Sequence, residues 1–579
     1  MNDLKGKGVV EGVAMGKVLR LDEDFKTPMA AYQASTQAEE LQKVEAARGK
    51  AEKQIEKLIQ EAKASGHDTQ AEVLEAHIMM VNDIALIEAI NEALDNGLNA
   101  VEAVKKATDD MSEMLAAIDD AYLQERSADV KDIAKRLLRI LLKMPEINIS
   151  SGYQILVGED IDPSLVANMT KEHVGALVLG QGSTTSHAVI IAKAKGIVTI
   201  VGLRDAYQSL ENDMVIIADG ATGDIVMSPD QEAIAAFKEK QNKAKKLEKI
   251  YDNIREDKGM TKAGVHVPLA INVGNPSDID QIAQYGAEGV GLFRTEFLFM
   301  GKASAPTEEE QFDSYKYVVT RTEGALSVIR TMDIGGDKPA EYLDIGKEEN
   351  PFLGWRALRI SLDKPELFKT QIRAILRASH YGKTAIMLPM VMSLTEIRQA
   401  KEHIHDVMAA LKSEKIPFDE TIAIGIMIET PAAVLMADQF AKEVDFFSVG
   451  TNDLTQYTLA VDRGNARISD RYDAFNPAVL KAIAMVAKAA KNAGIWIGMC
   501  GEMAGDPLAL PLLISMEFDE LSMSAPSVPR AKYLIKSMEP NEKLLDDVLA
   551  LDDVADIRKV LNHYLEEIKL KEEIHEKDY

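Results

Sequence analysis

From about residue 262 onward, short apolar runs alternate with amphipathic stretches of helical period, and this pattern constrains the fold more than any other feature of the chain. The apolar runs are Pro268–Val273, Gly289–Phe293, Leu326–Met332, Thr384–Leu388, Thr421–Ile428, Phe446–Val449, Ile495–Met499 and Glu520–Ser522. Strand–helix alternation of this kind over roughly 250 residues or more is the mark of a (β/α)8 barrel, in which chemistry gathers where the strands end. Those ends carry Arg294, Arg330, Asp333, Glu429, Asn452, Asp453 and Cys500.

The first 20 residues, rich in glycine and valine, read as one or two short strands that need partners elsewhere. From about 32 to 143 the period becomes helical. Leu41, Val44, Ile55, Leu58 and Ile59 share a face, and a later face stops at Asn96-Gly97, a C-cap signal. Strands return at Gln154–Val157, Val174–Leu179, Ile197–Val201 and Val215–Ala218, then at Asp224–Met227 after the Asp219-Gly220 turn. The expected chain is α/β and multidomain. A small α/β domain (1–31 and 144–228) is interrupted by a helical bundle (32–143); a mostly polar helical linker (229–261) then leads to the C-terminal (β/α)8 barrel (262–579).

The loop Gly182-Ser183-Thr184-Thr185-Ser186-His187 falls between the run Val174–Leu179 and a helix-like run, Ala188–Lys195. A small polar loop at a helix start offers backbone N–H groups, hydroxyls and partial positive charge, which suit a phosphoryl group. Neutral imidazole, with an ordinary pKa of ~6.5, is a nucleophile able to accept that group and pass it on. His187 therefore reads as a phosphohistidine. The chain has ten histidines, and the other nine lack such a loop.

Glu429 and Asp453 follow wholly apolar strands, and buried carboxylates need a cation. Two oxygen donors with room for water and substrate fit Mg²⁺ or Mn²⁺; an arginine–carboxylate salt bridge is the other reading. Arg294, Arg330, Arg356 and Arg463 would supply planar forks for phosphate and carboxylate oxygens, and Lys338 is a further candidate cation. Cys500 is either a small buried hydrophobe or a group placed to move a proton to or from carbon.

Composition narrows the partners. A formal net charge of −27 argues against nucleic acid and for a basic protein partner or plain solubility. One cysteine excludes an intramolecular disulfide, and residues 1–10 lack an apolar signal core. No run approaches the ~18 apolar residues needed to span a bilayer, so no direct membrane insertion is expected. The expected location is cytoplasmic.

The stretches GLFRTEFLF, RTMDIGGDK, NPFLGWRALR, GIMIETPAA, FFSVGTNDLTQYTLAVDR, MCGEMAGDP and TSH, with EAHIMM and YLQERSADVKDIAKR in the bundle, resemble the Enzyme I family of the bacterial sugar phosphotransferase system, phosphoenolpyruvate–protein phosphotransferases, over essentially the whole chain. The resemblance implies that phosphoenolpyruvate binds in the barrel on Mg²⁺, that His187 takes its phosphoryl group on Nε2, and that pyruvate leaves. A histidine of HPr, the small phosphocarrier protein, then receives the group while docked on the bundle. It further implies that Glu429 and Asp453 hold the metal and that Arg294, Arg330, Asn452, Asp453 and Arg463 bind phosphoenolpyruvate, with Arg356 and Lys338 assisting. The same resemblance implies that Cys500 protonates the enolate, that the histidine domain swings between barrel and bundle, and that the barrel forms a homodimer.

Two positions depart from the family pattern. Thr184 stands where the active loop commonly has arginine, and Ile191-Ala192-Lys193 replaces Met-Ala-Arg. The first removes a phosphate-side cation and puts the transfer rate or the phosphocarrier's identity in question. Rival readings are a pyruvate phosphate dikinase or phosphoenolpyruvate synthase, which need a nucleotide-grasp domain, and a regulatory paralogue feeding another phosphocarrier. A metal-dependent aldolase or lyase barrel is a third, and it gives no reason for the His187 loop or the bundle. Glu72, Glu75 and Asp83 are candidate acids for a basic partner, or simply a solvated face.

Overall fold

A computed structural model describes residues 3–10, 12–21, 26–64, 74, 77–116, 121–144, 153–161, 165–166, 169–171, 173–181, 187–336, 340–346, 348–463, 465, 467–468 and 471–575. The chain divides into two compact units, Met1–Lys245 and Lys246–Tyr579.

The first unit is built on an eight-stranded sheet: β1 (Asp3–Lys5), β2 (Lys7–Val10), β3 (Val13–Arg20), β4 (Gln154–Gly158), β5 (Val174–Leu179), β6 (Val198–Val201), β7 (Val215–Asp219) and β8 (Asp224–Met227). The spatial order is β1-β8-β7-β3-β4-β5-β6-β2. Strands β3 to β6 run parallel, and the remaining pairings are antiparallel. The opening residues thus form three strands, not one or two. Only Gly6 joins β1 to β2, which lie at opposite edges of the sheet, so the sheet curls until its edges meet. A Cβ on Gly6 would fall 2.6 Å from Ile200 Cγ2, and the Gly6 N–H donates to Gly223 O at 2.9 Å, so only glycine fits this junction.

Every residue of β5 is buried. Ala176 and Val178 face a core with Ile155, Val157 and Ile216, while Leu177 and Leu179 pack with Val189 and Ala192 of the following helix. Cover on both faces is why the strand reads as a continuous apolar run without alternation.

Between β3 and β4 the chain forms α1 (Gln37–Ala64), α2 (Ile84–Asp95), α3 (Ala100–Ala116) and α4 (Ala121–Leu141). Their shared core includes Val44, Ile55, Ile90, Val104, Ile133 and Leu137. Buried Glu40 ties two of these helices together. It accepts from the Lys43 ammonium, the Tyr32 hydroxyl and Ser35 near its own end of α1, and from the Ala100 N–H at 2.7 Å at the start of α3. Helix α5 (His187–Lys195) follows β5, and α6 (Gln231–Asn253), whose one buried residue is Phe237, is the polar helix expected after residue 229.

The second unit is a closed barrel of eight parallel strands: β9 (Leu269–Val273), β10 (Val290–Arg294), β11 (Ser327–Arg330), β12 (Thr384–Leu388), β13 (Ala423–Ile428), β14 (Phe446–Val449), β15 (Trp496–Met499) and β16 (Glu520–Met523). Each expected run ends within two residues of its strand. Leu292, Val328, Met387, Met427 and Phe446 fill the interior. Phe446 stacks on Trp496 at 4.2 Å, and Gly425 leaves the space, since a Cβ there would lie 2.4 Å from the Phe446 ring. Apolar filling leaves most of the charged groups at the rim. Glu520, at the start of β16, is buried beside Gly291, and burial pushes its carboxyl up to about 7. Among the described residues, no helix is long and apolar enough to cross a membrane.

Candidate active site

Parallel strands place all their C-terminal ends on one rim, so residues distant in sequence converge there. Arg294 and Arg330 are the last residues of β10 and β11, Glu429 directly follows β13, and Cys500 directly follows β15. Asn452 and Asp453 lie in the first turn of α7 (Thr451–Leu459), which leaves β14.

The centre of the rim is a buried ion network. Arg330 Nη2 lies 2.6 Å from Glu296 Oε1 and 3.1 Å from Asp333 Oδ2. Arg356 donates to both Asp333 oxygens, at 3.0 and 3.1 Å from Nη2, and sits 3.5 Å from Asp453 Oδ2. Burial works against both guanidinium charges, and the facing carboxylates outweigh it, raising both groups above the ordinary arginine value. Arg356 reaches this position because Gly335 gives way. A Cβ at Gly335 would fall 2.5 Å from Arg356 Cβ, and its φ of +105° is open to glycine alone. The next residue, Ala357, is held at φ 54°, ψ −126°, a strained conformation beside the site.

Four buried acids, Glu296, Asp333, Glu429 and Asp453, thus face two buried guanidiniums, more carboxyl groups than the arginines pair. Asp453 Oδ1 is buried with no hydrogen-bond partner. Glu429 accepts from the Met390 N–H at 2.6 Å, and burial, with Asp453 and Asp333 close by, raises its carboxyl well above the ordinary range. An orphaned oxygen, a destabilised carboxylate and more buried acids than arginines are what one divalent cation relieves. No group of three or more His, Cys, Asp or Glu that could hold a metal occurs among the described residues; Glu429 and Asp453 would offer a cation two carboxylates, a donor set of the kind Mg²⁺ takes when water and substrate fill its other positions. The salt-bridge alternative holds in part, since Asp453 also meets Arg356.

The remaining expected residues have different surroundings. The Arg294 side chain is part-exposed and makes no hydrogen bond or ion pair with another described residue, so its fork is available. Arg463 lies against the Tyr472 hydroxyl, which donates to Asn452 O at 3.0 Å. Cys500 is buried, and burial pushes its thiol up to about 11 against the pull of Ser448 and Arg330; it is a protonated acid at neutral pH. His187 is the first residue of α5, one earlier than expected. Loop residues 182–186 with Thr184, as well as Lys338, Glu72 and Glu75, lie outside the described residues. Asp83 caps α2 by accepting from the Ala85 N–H at 2.7 Å. Sequence reading missed Glu296 and gave Asp333 no role. The available signal was spacing, since each carboxylate sits two or three residues beyond an arginine at a strand end.

Three sequence families match the chain: PEP-utilising enzyme, N-terminal, over residues 5–126; PEP-utilising enzyme, mobile domain, over 151–223; and PEP-utilising enzyme, PEP-binding domain, over 249–540. These matches define a PEP-utilising enzyme. The phosphoenolpyruvate-protein phosphotransferase of Priestia megaterium is 39% identical over 560 residues, covering 96% of this chain and 98% of that protein. That of Bacillus subtilis is 40% identical over 546 residues, covering 94% and 95%. The NMR solution structure of an Enzyme I (nEIt) protein is 27% identical and covers 42% of this chain and 99% of that one, at a TM-score of 0.36. The chain belongs to the phosphoenolpyruvate–protein phosphotransferase family, Enzyme I.

Proposed function

We propose that this chain transfers the phosphoryl group of phosphoenolpyruvate to its own His187, releases pyruvate, and passes the group to a histidine of HPr for sugar uptake. The observation that carries it is the buried rim network, in which arginines are fixed in place by carboxylates beside an available Arg294 and a protonated Cys500. Arg294, Arg330, Arg356, Asn452 and Arg463, with Lys338, hold the phosphate and carboxylate oxygens of phosphoenolpyruvate and stabilise the charge that develops on them. Mg²⁺, or Mn²⁺, held by Glu429 and Asp453 would supply Lewis-acid stabilisation of phosphoryl and enolate oxygens. The bond from phosphorus to the enol oxygen breaks as the bond to His187 Nε2 forms. The enolate carbon then takes the proton of the Cys500 thiol, giving pyruvate and a thiolate that solvent reprotonates.

The domain roles follow the same reading. Residues 1–31 and 144–228 form the phosphohistidine domain, 32–143 the HPr-binding domain, 229–261 the linker, and 262–579 the phosphoenolpyruvate-binding and dimerisation barrel of a cytoplasmic homodimer. A hollow of about 220 Å³ in the bundle, lined by Met80, Asp83, Leu86, Met111 and Met114 among others, supports an adaptable protein-docking face there.

Incubation with radiolabelled phosphoenolpyruvate and Mg²⁺ tests the reading. Acid-labile, alkali-stable label with release of pyruvate is expected in the wild type and lost in His187→Ala; added HPr then removes the label. A chain that takes no label while its barrel cleaves or condenses keto acids belongs to the aldolase reading instead. Thr184→Arg in the same assay measures what the missing cation costs the transfer rate.

A further inference from the structure

Arg356 is gripped from two directions. Asp333 holds Nε and Nη2 from one side, and on the other Nη1 donates to the Tyr457 hydroxyl at 3.0 Å. A guanidinium has no acceptor, so the tyrosine oxygen must accept here, and its one proton is free for a second partner. That partner is the carbonyl of Phe352, at 2.5 Å. Both bonds are fixed in direction by chemistry, and neither competes with the other.

The placement of this hydroxyl matters. Tyr457 stands four residues after Asp453 on α7, so the two share a helix face. Both reach the same guanidinium, Asp453 at 3.5 Å from Nη2 and Tyr457 at 3.0 Å from Nη1. Phe352 and Arg356 belong to the segment after β11, whereas α7 follows β14, and β12 and β13 separate those strands in the barrel. The hydroxyl therefore spans part of the mouth and joins the segment that carries Arg356 to the helix that carries Asn452 and Asp453. A parallel arrangement occurs nearby, where Tyr472 lies against Arg463 and donates to Asn452 O. Within this segment Leu353 is exposed and Ala357 is strained, so the hydroxyl adds a polar hold to the apolar one that Trp355 and Ile360 give.

We infer that Tyr457 is a positioning residue, whose hydroxyl sets the spacing between Arg356 and the first turn of α7 and so shapes the oxyanion site for the substrate phosphate. The inference rests on the phosphoenolpyruvate reading for its effect on catalysis, but the mechanical link is independent of that reading.

Tyr457→Phe removes the oxygen and keeps the ring. In the full-length chain it is expected to raise the KM for phosphoenolpyruvate about tenfold, the effect of losing one hydrogen bond to a charged group, with kcat changed less than about threefold. Adding Tyr457→Phe to Arg356→Lys is expected to raise KM no further, since the partner is already gone. Trp355 reports the segment directly. In a Trp496→Phe background, where it is the remaining tryptophan, acrylamide quenching of its fluorescence is expected to increase with Tyr457→Phe. Unchanged KM and unchanged quenching overturn the assignment, as does a KM effect of equal size in the Arg356→Lys background. If the wild type takes no label from phosphoenolpyruvate, the functional reading fails, and the quenching comparison alone decides whether the hydroxyl holds the segment.

Discussion

Asp333 receives two arginines at once, Arg330 at 3.1 Å on Oδ2 and Arg356 at 3.0 Å on Oδ1. Neither arginine is therefore a mobile cation waiting for substrate. The carboxylate fixes both forks before anything binds, which removes the ordering cost from the binding step. It also makes the network vulnerable at one point.

Asp333→Asn keeps the shape and removes the charge, leaving two buried guanidiniums with Glu296 and Asp453 as their remaining counter-charges. Breaking a buried pair in this way costs about 3–5 kcal/mol. Urea unfolding followed by Trp355 and Trp496 fluorescence should show a loss of that order together with loss of phosphorylation. A loss under about 1 kcal/mol would falsify the shared role.

Divalent metal should stabilise the barrel, because the rim holds an orphaned Asp453 oxygen beside the destabilised Glu429 carboxyl. At a hundredfold excess over its Kd, Mg²⁺ is expected to add about 2.7 kcal/mol and to raise the thermal midpoint accordingly. Glu429→Gln should abolish most of that shift. If calorimetry finds the same Mg²⁺-dependent shift in the variant, the carboxylate pair is not the site.

The raised Cys500 thiol predicts slow chemistry with electrophiles. As the single cysteine of the chain it can be followed without interference. Thiolate is the reactive form, so at pH 8 alkylation by iodoacetamide should run roughly a hundredfold slower than for an ordinary thiol of pKa ~8.5, and should accelerate up to about pH 11. A rate that levels off near pH 8 would place the thiol in solvent and remove it as the proton donor.

Two buried glutamates should give opposite pH slopes. Burial raises Glu520, so its folded value lies above the unfolded one of ~4.3; its contribution is fully present below ~4.3 and is lost as pH rises to about 7. Glu520→Gln is therefore expected to be more stable than wild type at pH 8 and no more stable at pH 4. For Glu40, burial opposes ionisation, but the hydrogen bonds from Lys43, Ser35 and Ala100 outweigh it and hold the carboxyl well below the ordinary range. Its contribution is present above the unfolded value and is lost as pH falls through the depressed one. Glu40→Gln should cost about 1–3 kcal/mol at pH 7, with the gap narrowing below about pH 4. Thermal melts across pH 3–9 that show the same sign for both variants would contradict these assignments.

Much of the site could be read before the fold was known. Arg294, Arg330, Glu429, Asn452, Asp453 and Cys500 stand out because apolar strands end abruptly in reactive side chains, and a barrel gathers such ends. Gly335 and Gly336 were visible as a pair, but the reason for Gly335, the close passage of Arg356, needed the path of the segment after β11. Three strands at the start were misread as one or two because Gly6 interrupts a run whose halves pair at opposite edges of a curled sheet.

The sequence by itself determined the periods, the number of barrel strands, the helical insertion after the first strands and the residues at each strand end. These are local properties, set by which side chains alternate over a few positions. Only the tertiary structure decided that Arg356 shares Asp333 with Arg330, that Tyr457, 101 positions away, reaches Arg356, and that Glu520 is enclosed. Such pairings depend on barrel closure and on the course of the loops over the rim, which no window of a few residues contains.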